Sequence, residues 1–321
     1  MKEMIKEIIR EEMSRLNKTF YFMAGLPRSG STLLSSILNQ NPRFYSGPSS
    51  PVVPTMIALE NSLANDELFL GYPKPQQAKE IIASVLPQYY SDRPEPVIFD
   101  KNRSWTVRME YIPGYFDIAP KVICPVRDTA EILTSFISML RRNPYEVDGK
   151  INFVDEMLIK NNIPLTDNNR CELLASPAGI LGQSVEGLQK ALMEGYDQSL
   201  HFVEYKDLVN NPQETMQKIY EFLGEEPFEH TFDNLKNENR ENDGKIYGFA
   251  DMHEVRPVVK SVAPAPEEIL SAEILEKCQN TEFWRTLGQV EEETTEETVA
   301  ETEVVEDGGD EDETSIIGAG V

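Results

Sequence analysis

The stretch Thr19–Gln40, TFYFMAGLPRSGSTLLSSILNQ, decides the fold. Thr19–Met23 runs β-branched, aromatic and apolar residues together, as a buried strand does. Gly25 and Gly30 bracket Leu26-Pro27-Arg28-Ser29, and Ser31 opens a helix whose apolar positions Leu33, Leu34, Ile37 and Leu38 recur at helical spacing. A strand, a glycine-bounded turn and a helix N-terminus aim backbone N–H groups and the positive end of a helix dipole at one point. That is a cradle for an anion.

The spacing from Gly25 to Gly30 is that of a nucleotide P-loop, but Ser31 stands where that motif requires lysine. A kinase or NTPase of the P-loop kind is therefore the lesser alternative. The cation comes earlier, as Arg28 inside the turn. One guanidinium with Ser and Thr hydroxyls suits a ligand less charged than ATP with magnesium.

Working outward, the same element type recurs. Pro96–Asp100, Lys121–Val126 and Leu200–Tyr205 read as further short strands. Helices are expected at Val52–Leu63, Gln76–Tyr90, from Ser104, from Thr129, in pieces over Ile151–Met193, at Pro212–Leu223, and as a terminal pair at Pro266–Cys278 and Phe283–Leu287. Asn41–Pro54 is dense in Pro, Ser, Gly and Asn and reads as a loop. Strands alternating with helices predict an α/β fold: a P-loop-like parallel sheet flanked by helices on both faces, three layers in all. Ligands in such sheets bind at the carboxyl ends of the strands. Arg28, Asp100-Lys101 and Arg127 all fall there.

GLPRSGSTLL (Gly25–Leu34) resembles the 5′-phosphosulfate loop of the sulfotransferases that use 3′-phosphoadenosine 5′-phosphosulfate (PAPS). The likeness runs from about Thr19 to Lys260 and is nearer to bacterial-type and protein-tyrosine sulfotransferases than to the cytosolic steroid and phenol enzymes. It implies that Pro27, Arg28, Ser29, Gly30, Ser31 and Thr32 bind the donor. VRDTAEILTS (Val126–Ser135) is similar to the family's 3′-phosphate motif, which assigns Arg127 and Ser135 to that group. MHEVRPVVK (Met252–Lys260) is similar to a late segment that closes over the donor, with Arg256 or Lys260 as a second cation. Lys101 matches the catalytic lysine of protein-tyrosine sulfotransferases. With Arg28 it would stabilise charge in an in-line sulfuryl transfer.

The base is where the likeness stops. Those enzymes carry glutamates about twenty residues beyond the loop arginine, where this chain has Ser46-Gly47-Pro48-Ser49-Ser50. Asn102 stands near the histidine position of the cytosolic relatives. Asp100, His253 and Glu60 are all candidates, and a PAP-binding module without activity (PAP being adenosine 3′,5′-bisphosphate) is a further alternative. His201, His230, Tyr205 and Leu208 are expected to pack.

The 321 residues carry a net charge of −25, and Glu291–Glu313 holds 13 of the acidic side chains. About half of the net charge thus lies in a C-terminal extension, whose composition predicts a disordered tail over 290–321. This balance argues against a nucleic-acid partner. Three scattered cysteines suggest neither a disulfide framework nor a metal site, and favour a reducing, cytoplasmic setting. Residues 1–18 read as an amphipathic helix broken by charges, unlike a signal peptide, and no run approaches the roughly 20 apolar residues of a membrane span. The expected organisation is an N-terminal helix (1–18), a sulfotransferase domain (19–289) and the tail. PAPS is the expected co-substrate, without metal. The acceptor is a hydroxyl on a small molecule, glycan or peptide.

Overall fold

The computed structural model describes residues 18–143, 146–236, 242–250, 252–260 and 264–287. Apart from Lys18, the expected N-terminal helix and the expected tail lie outside the described residues. The chain divides after Thr281, and the described part of the second unit is a 3-10 turn at Phe283–Arg285.

Five parallel strands form one sheet: β1 Thr19–Met23, β2 Phe44–Ser49, β3 Val97–Lys101, β4 Val122–Val126 and β5 Leu200–Glu204, in the order β2-β3-β1-β4-β5. The first half of the chain adds helices α1 Ser31–Leu38, α2 Val52–Asn65, α3 Glu67–Gly71, α4 Pro75–Tyr89 and α5 Thr129–Arg142. The expected pieces over 151–193 are α6 Phe153–Lys160, α7 Asp167–Ala175 and α8 Ile180–Met193. Then come α9 Tyr205–Asn210, α10 Pro212–Leu223 and α11 Asp243–Tyr247, and finally α12 Pro266–Ile269 and α13 Ala272–Lys277.

Alternation along β1 explains the three layers, because successive side chains leave a strand on opposite faces. Tyr21 and Met23 join Val97, Phe99 and Ile123 against Leu34, Ile37 and Leu38 of α1 and Met216, Ile219 and Leu223 of α10. Phe20 and Phe22 face the other way. Phe22 meets Trp105 at 4.4 Å between ring centroids, and Phe20 meets Tyr90 at 6.2 Å. With both faces covered, the strands are mostly apolar, as parallel sheets favour, with Ser46 of β2 and Asp100 and Lys101 of β3 as buried exceptions.

Three local expectations are corrected. Asn41–Pro54 is not all loop, because Phe44–Ser49 pairs with β3 as an edge strand. Its Gly47-Pro48 pair hides the strand signal, and the register shifts between Ser46 and Ser49 at that point. An edge tolerates a proline and a bulge that a central strand would not. The segment from Ser104 forms a 3-10 turn at Arg103–Trp105 and a π-helical turn at Ile112–Phe116, not an α-helix. The Asn102 side chain accepts from Ser104 N and tightens the first turn, and Pro113 removes a backbone donor from the second. The terminal helix breaks at Leu270-Ser271, where Ser271 caps α13.

His201 and His230 do pack. His201 stacks on Phe222 at 5.0 Å, and His230 Nε2 lies 3.1 Å from the Tyr220 hydroxyl, which also accepts from Asn41 Nδ2. Burial pushes the His230 imidazole down to about 4 from an ordinary 6.5. A lowered histidine is neutral in the fold and takes up a proton on unfolding. Its contribution is therefore complete above pH 6.5 and is lost as pH falls toward about 4. Urea midpoints should show the wild type losing more stability than His230→Gln between pH 7 and pH 5. Parallel curves for the two proteins would refute the buried neutral form.

Candidate functional site

The carboxyl ends of β1, β3 and β4 open into a cleft of about 720 Å³. This is the crevice where the chain order reverses across the sheet, the usual ligand position in such folds. It is lined by residues 25–28 and 30–33 after β1, by 48–51 at the end of β2, by 101–103 at the end of β3, by Arg127 with the adjoining face of α5, by Tyr205, and by Ile246, Tyr247, residues between 252 and 260, and Pro264.

The loop after β1 presses directly on β4. A Cβ on Gly25 would lie 2.1 Å from the Pro125 carbonyl oxygen, which already accepts from Leu26 N at 2.8 Å. Only glycine fits there. Gly30 has φ 86°, and a Cβ there would meet the Tyr205 ring at 2.8 Å. Between them Arg28 adopts φ 57°, a left-handed conformation in a residue with a side chain. That costs on the order of 1–2 kcal/mol, and the neighbours hold it in place. Arg28 Nε donates to Ser135 Oγ at 3.1 Å, its Nη1 donates to the Met252 carbonyl, and its own carbonyl accepts from Arg127 Nη1 at 3.2 Å. Strain thus sits at the residue bearing the loop's charge, a pattern common at working sites.

Arg127 is buried at the end of β4. It pairs with Glu131 Oε2 at 2.7 Å, one turn along α5, and its guanidinium carbon stands 4.2 Å from the Tyr205 ring centroid. Tyr205 is therefore a shelf for Arg127 and not merely packing as expected. Leu208 is fully buried, as expected. Ser135, Ser138 and Arg142 follow at i, i+3 and i+7 on one face of α5, and all three line the cleft. Ser138 and Arg142 were missed from sequence, although that spacing was there to be read. Ser138 Oγ is buried without a hydrogen-bond partner among the described residues, a further polar group facing the ligand space.

Lys101 is the last residue of β3 rather than the first beyond it, in register with Met23 of β1 and Ser49 of β2. The strand ends on both sides fix its Cα at the cleft floor. Asn102 is a fastener: its Nδ2 donates to the Ser50 carbonyl at 2.7 Å, and its Oδ1 accepts from Ser104 N at 2.9 Å.

Other expected residues stand elsewhere. Asp100 points to the opposite face of the sheet, as its neighbour in a strand must, and has no exposed surface. Its oxygens accept from Trp105 Nε1 at 2.6 Å and Tyr90 OH at 2.9 Å. Burial pushes its carboxyl above the usual range, against the pull of hydrogen bonds from Ser50, Trp105 and Tyr90. It is walled off from the cleft and is not a base for an acceptor. Ser29 is also buried, with its hydroxyl on the Pro27 carbonyl, so it backs the loop instead of facing the ligand space. Glu60 lies away from the cleft wall, where Tyr111 and Tyr115 both donate to it.

Pro27, Arg28, Gly30, Ser31, Thr32, Lys101, Arg127, Ser135, His253, Arg256 and Lys260 all line the cleft. Arg256 and Lys260 are exposed at its mouth, with Arg103 and Arg142. One outcome departs from the sequence expectation of two separate anion corners. Arg28 and Ser135, assigned to opposite ends of the donor, are hydrogen-bonded to each other. Among the described residues, no three His, Cys, Asp or Glu side chains are grouped to hold a metal ion, and no helix is long and apolar enough to cross a membrane.

Fold and cleft together define a P-loop-like α/β protein with a cleft lined by cationic side chains at the strand ends. The chain belongs to the sulfotransferase family, whose model matches residues 21–230. It is similar to nodulation protein NoeE of Sinorhizobium fredii (strain NBRC 101917 / NGR234), with 25% identity over 228 residues, 64% of this chain and 50% of that protein. The chain thus spans half the length of that curated relative. The sulfotransferase domain from the curacin biosynthetic pathway superposes over 81% of this chain and 97% of its own, with a TM-score of 0.51 and 16% identity, which shows a shared fold.

Proposed function

We propose that the chain transfers a sulfuryl group from PAPS to a hydroxyl acceptor by in-line displacement. The observation that carries this reading is the convergence of Arg28, Lys101 and Arg127 on one cleft from three different strand ends. The N-terminus of α1, with Ser31 and Thr32, receives the 5′-phosphosulfate. Lys101 and Arg28 stabilise the charge that builds on the bridging oxygen and the moving SO₃ group. Arg127 and Ser135 take the 3′-phosphate, and Arg256 or Lys260 adds a cation from the late segment. Donor binding exchanges the Arg28–Ser135 bond for contacts to the two anionic ends. No metal is assigned a step. The reading places the reaction in the cytoplasm and leaves a small molecule, glycan or peptide as acceptor, to be sorted by a screen with labelled donor.

Calorimetry without magnesium tests the donor assignment. PAP should bind about a hundredfold more tightly than AMP, because only PAP fills the Arg127 end. A charge-assisted contact to phosphate contributes on the order of 1.5–3 kcal/mol. Equal affinities would overturn the reading, and magnesium-dependent ATP hydrolysis would favour the P-loop kinase alternative.

A further inference from the structure

The sulfuryl-transfer reading lacks a group to take the acceptor's proton, and the residues on the cleft wall narrow the choice sharply. Asp100 is sealed behind the sheet and Glu60 is engaged by two tyrosines away from the cleft. Among the cleft-lining residues described, the carboxylate or imidazole side chains are those of His253 and Glu254, and Glu254 is exposed at the mouth.

His253 is held as a working imidazole would be. Its ring Nδ1 lies 2.7 Å from Asp243 Oδ1, and its backbone N–H donates to Asp243 Oδ2 at 2.8 Å. One carboxylate therefore fixes both the main chain and the ring. Asp243 is buried at the start of α11, and Tyr247, one turn on, sets its ring 5.4 Å from the imidazole. The segment is tied at two further points. Asn143 Oδ1, at the end of α5, accepts from Ala250 N at 3.1 Å, and the Met252 carbonyl accepts from Arg28. His253 thus adjoins in sequence the residue gripped by the loop cation.

We infer that Asp243 and His253 form the proton-accepting dyad of this site. This rests on the sulfuryl-transfer reading and deepens it. A carboxylate only accepts hydrogen bonds, so Asp243 assigns the proton of the neutral ring to Nδ1 and leaves the lone pair on Nε2. In the step, the acceptor hydroxyl gives its proton to Nε2 as its oxygen bonds to sulfur. The bond from sulfur to the donor's phosphate oxygen breaks, and PAP leaves with that electron pair. Asp243 stabilises the imidazolium and keeps Nδ1–H, and the Nε2 proton passes to solvent. Asp243 is a positioning residue and His253 the catalytic one. The base therefore comes from the late segment, not from the end of β3, where Asn102 has become a fastener.

The test uses the full chain, labelled PAPS, and phenol, p-nitrophenol and water as acceptors, with PAP affinity measured alongside. His253→Gln should lower transfer about a hundredfold, within the range of general-base contributions, while PAP affinity stays within about twofold. Imidazole added to His253→Ala should restore transfer at least about tenfold, as an unpositioned replacement for the missing base. Asp243→Asn should lower transfer comparably, because its amide donates to Nδ1 and forces the proton to Nε2. Nitrogen-15 spectra of the neutral ring read that tautomer change directly, and the double variant should be no worse than the lower single one.

A His253→Gln enzyme with wild-type transfer overturns the dyad. So does one that loses PAP affinity in proportion to transfer, which would place His253 in the donor site. A wild type that binds PAP but transfers to no acceptor, water included, overturns the dyad as well. A wild type that binds no PAP removes the sulfuryl-transfer reading itself, which keeps the two failures distinct.

Discussion

Arg28→Ala should lower sulfuryl transfer by about a thousandfold while costing the fold little. The side chain is the only cation of the loop after β1, and it is tied at Nε to Ser135 and at Nη1 to Met252. A positioned donor of this kind contributes roughly a hundred- to a thousandfold in rate, up to about 4 kcal/mol. Losing its hold on the late segment adds to that by loosening the wall that carries His253. Stability should respond in the other direction. At φ 57° the arginine sits where glycine is easier, so Arg28→Gly should unfold at higher urea than Arg28→Ala, by about 1 kcal/mol. Arg28→Lys keeps the charge but cannot reach both Ser135 and the Met252 carbonyl in the same plane, and should recover only part of the rate. Labelled-donor transfer and urea melts on the three variants check this together. A tenth or more of wild-type transfer in Arg28→Ala would remove the residue from the chemistry.

Most of this architecture was legible because its signals are local. Thr19–Met23, the two glycines and the helical spacing after Ser31 lie within 22 consecutive residues, and each points to the same element order. Position after a strand was enough to bring Arg28, Lys101 and Arg127 to one cleft. What stayed hidden depends on contacts far apart in sequence. Tyr205 reads as packing until the fold sets it against Arg127, 78 positions away in the chain. Asp100 and Lys101 are adjacent, yet strand alternation puts one behind the sheet and the other on the cleft, and nothing in the dipeptide says which. Gly47-Pro48 suppresses the signal of β2 because an edge strand is exempt from the pairing demands that make central strands readable. The link between His253 and Asp243 spans a segment with little periodicity, so neither residue marks the other in the sequence.

Arg127→Ala should erase the preference for PAP over AMP, and the pattern of loss separates two roles that the geometry allows. Arg127 is a pillar, because it pairs with Glu131, lies on Tyr205 and donates to the Arg28 carbonyl. It is also the cation at the end of β4, two positions before the helix that carries Ser135 begins. If it served only as a pillar, its loss would disturb the Arg28 loop and weaken PAP and AMP by the same factor. If it binds the 3′-phosphate, PAP should lose about a hundredfold or more and AMP almost nothing, since AMP has no group at that end. The partner left behind moderates any structural cost. Glu131 is 39% exposed and can be solvated once Arg127 is gone, unlike a carboxylate stranded in a core. Arg127→Lys should keep part of the preference, because an ammonium retains charge but neither forks onto phosphate nor lies flat on Tyr205. Glu131→Gln should move the other way and tighten PAP, since it removes a negative charge 2.7 Å from the guanidinium. Calorimetric titration of both nucleotides into the four proteins reads this out, and an unchanged ratio in Arg127→Ala would assign the 3′-phosphate to the exposed cations at the mouth of the cleft instead.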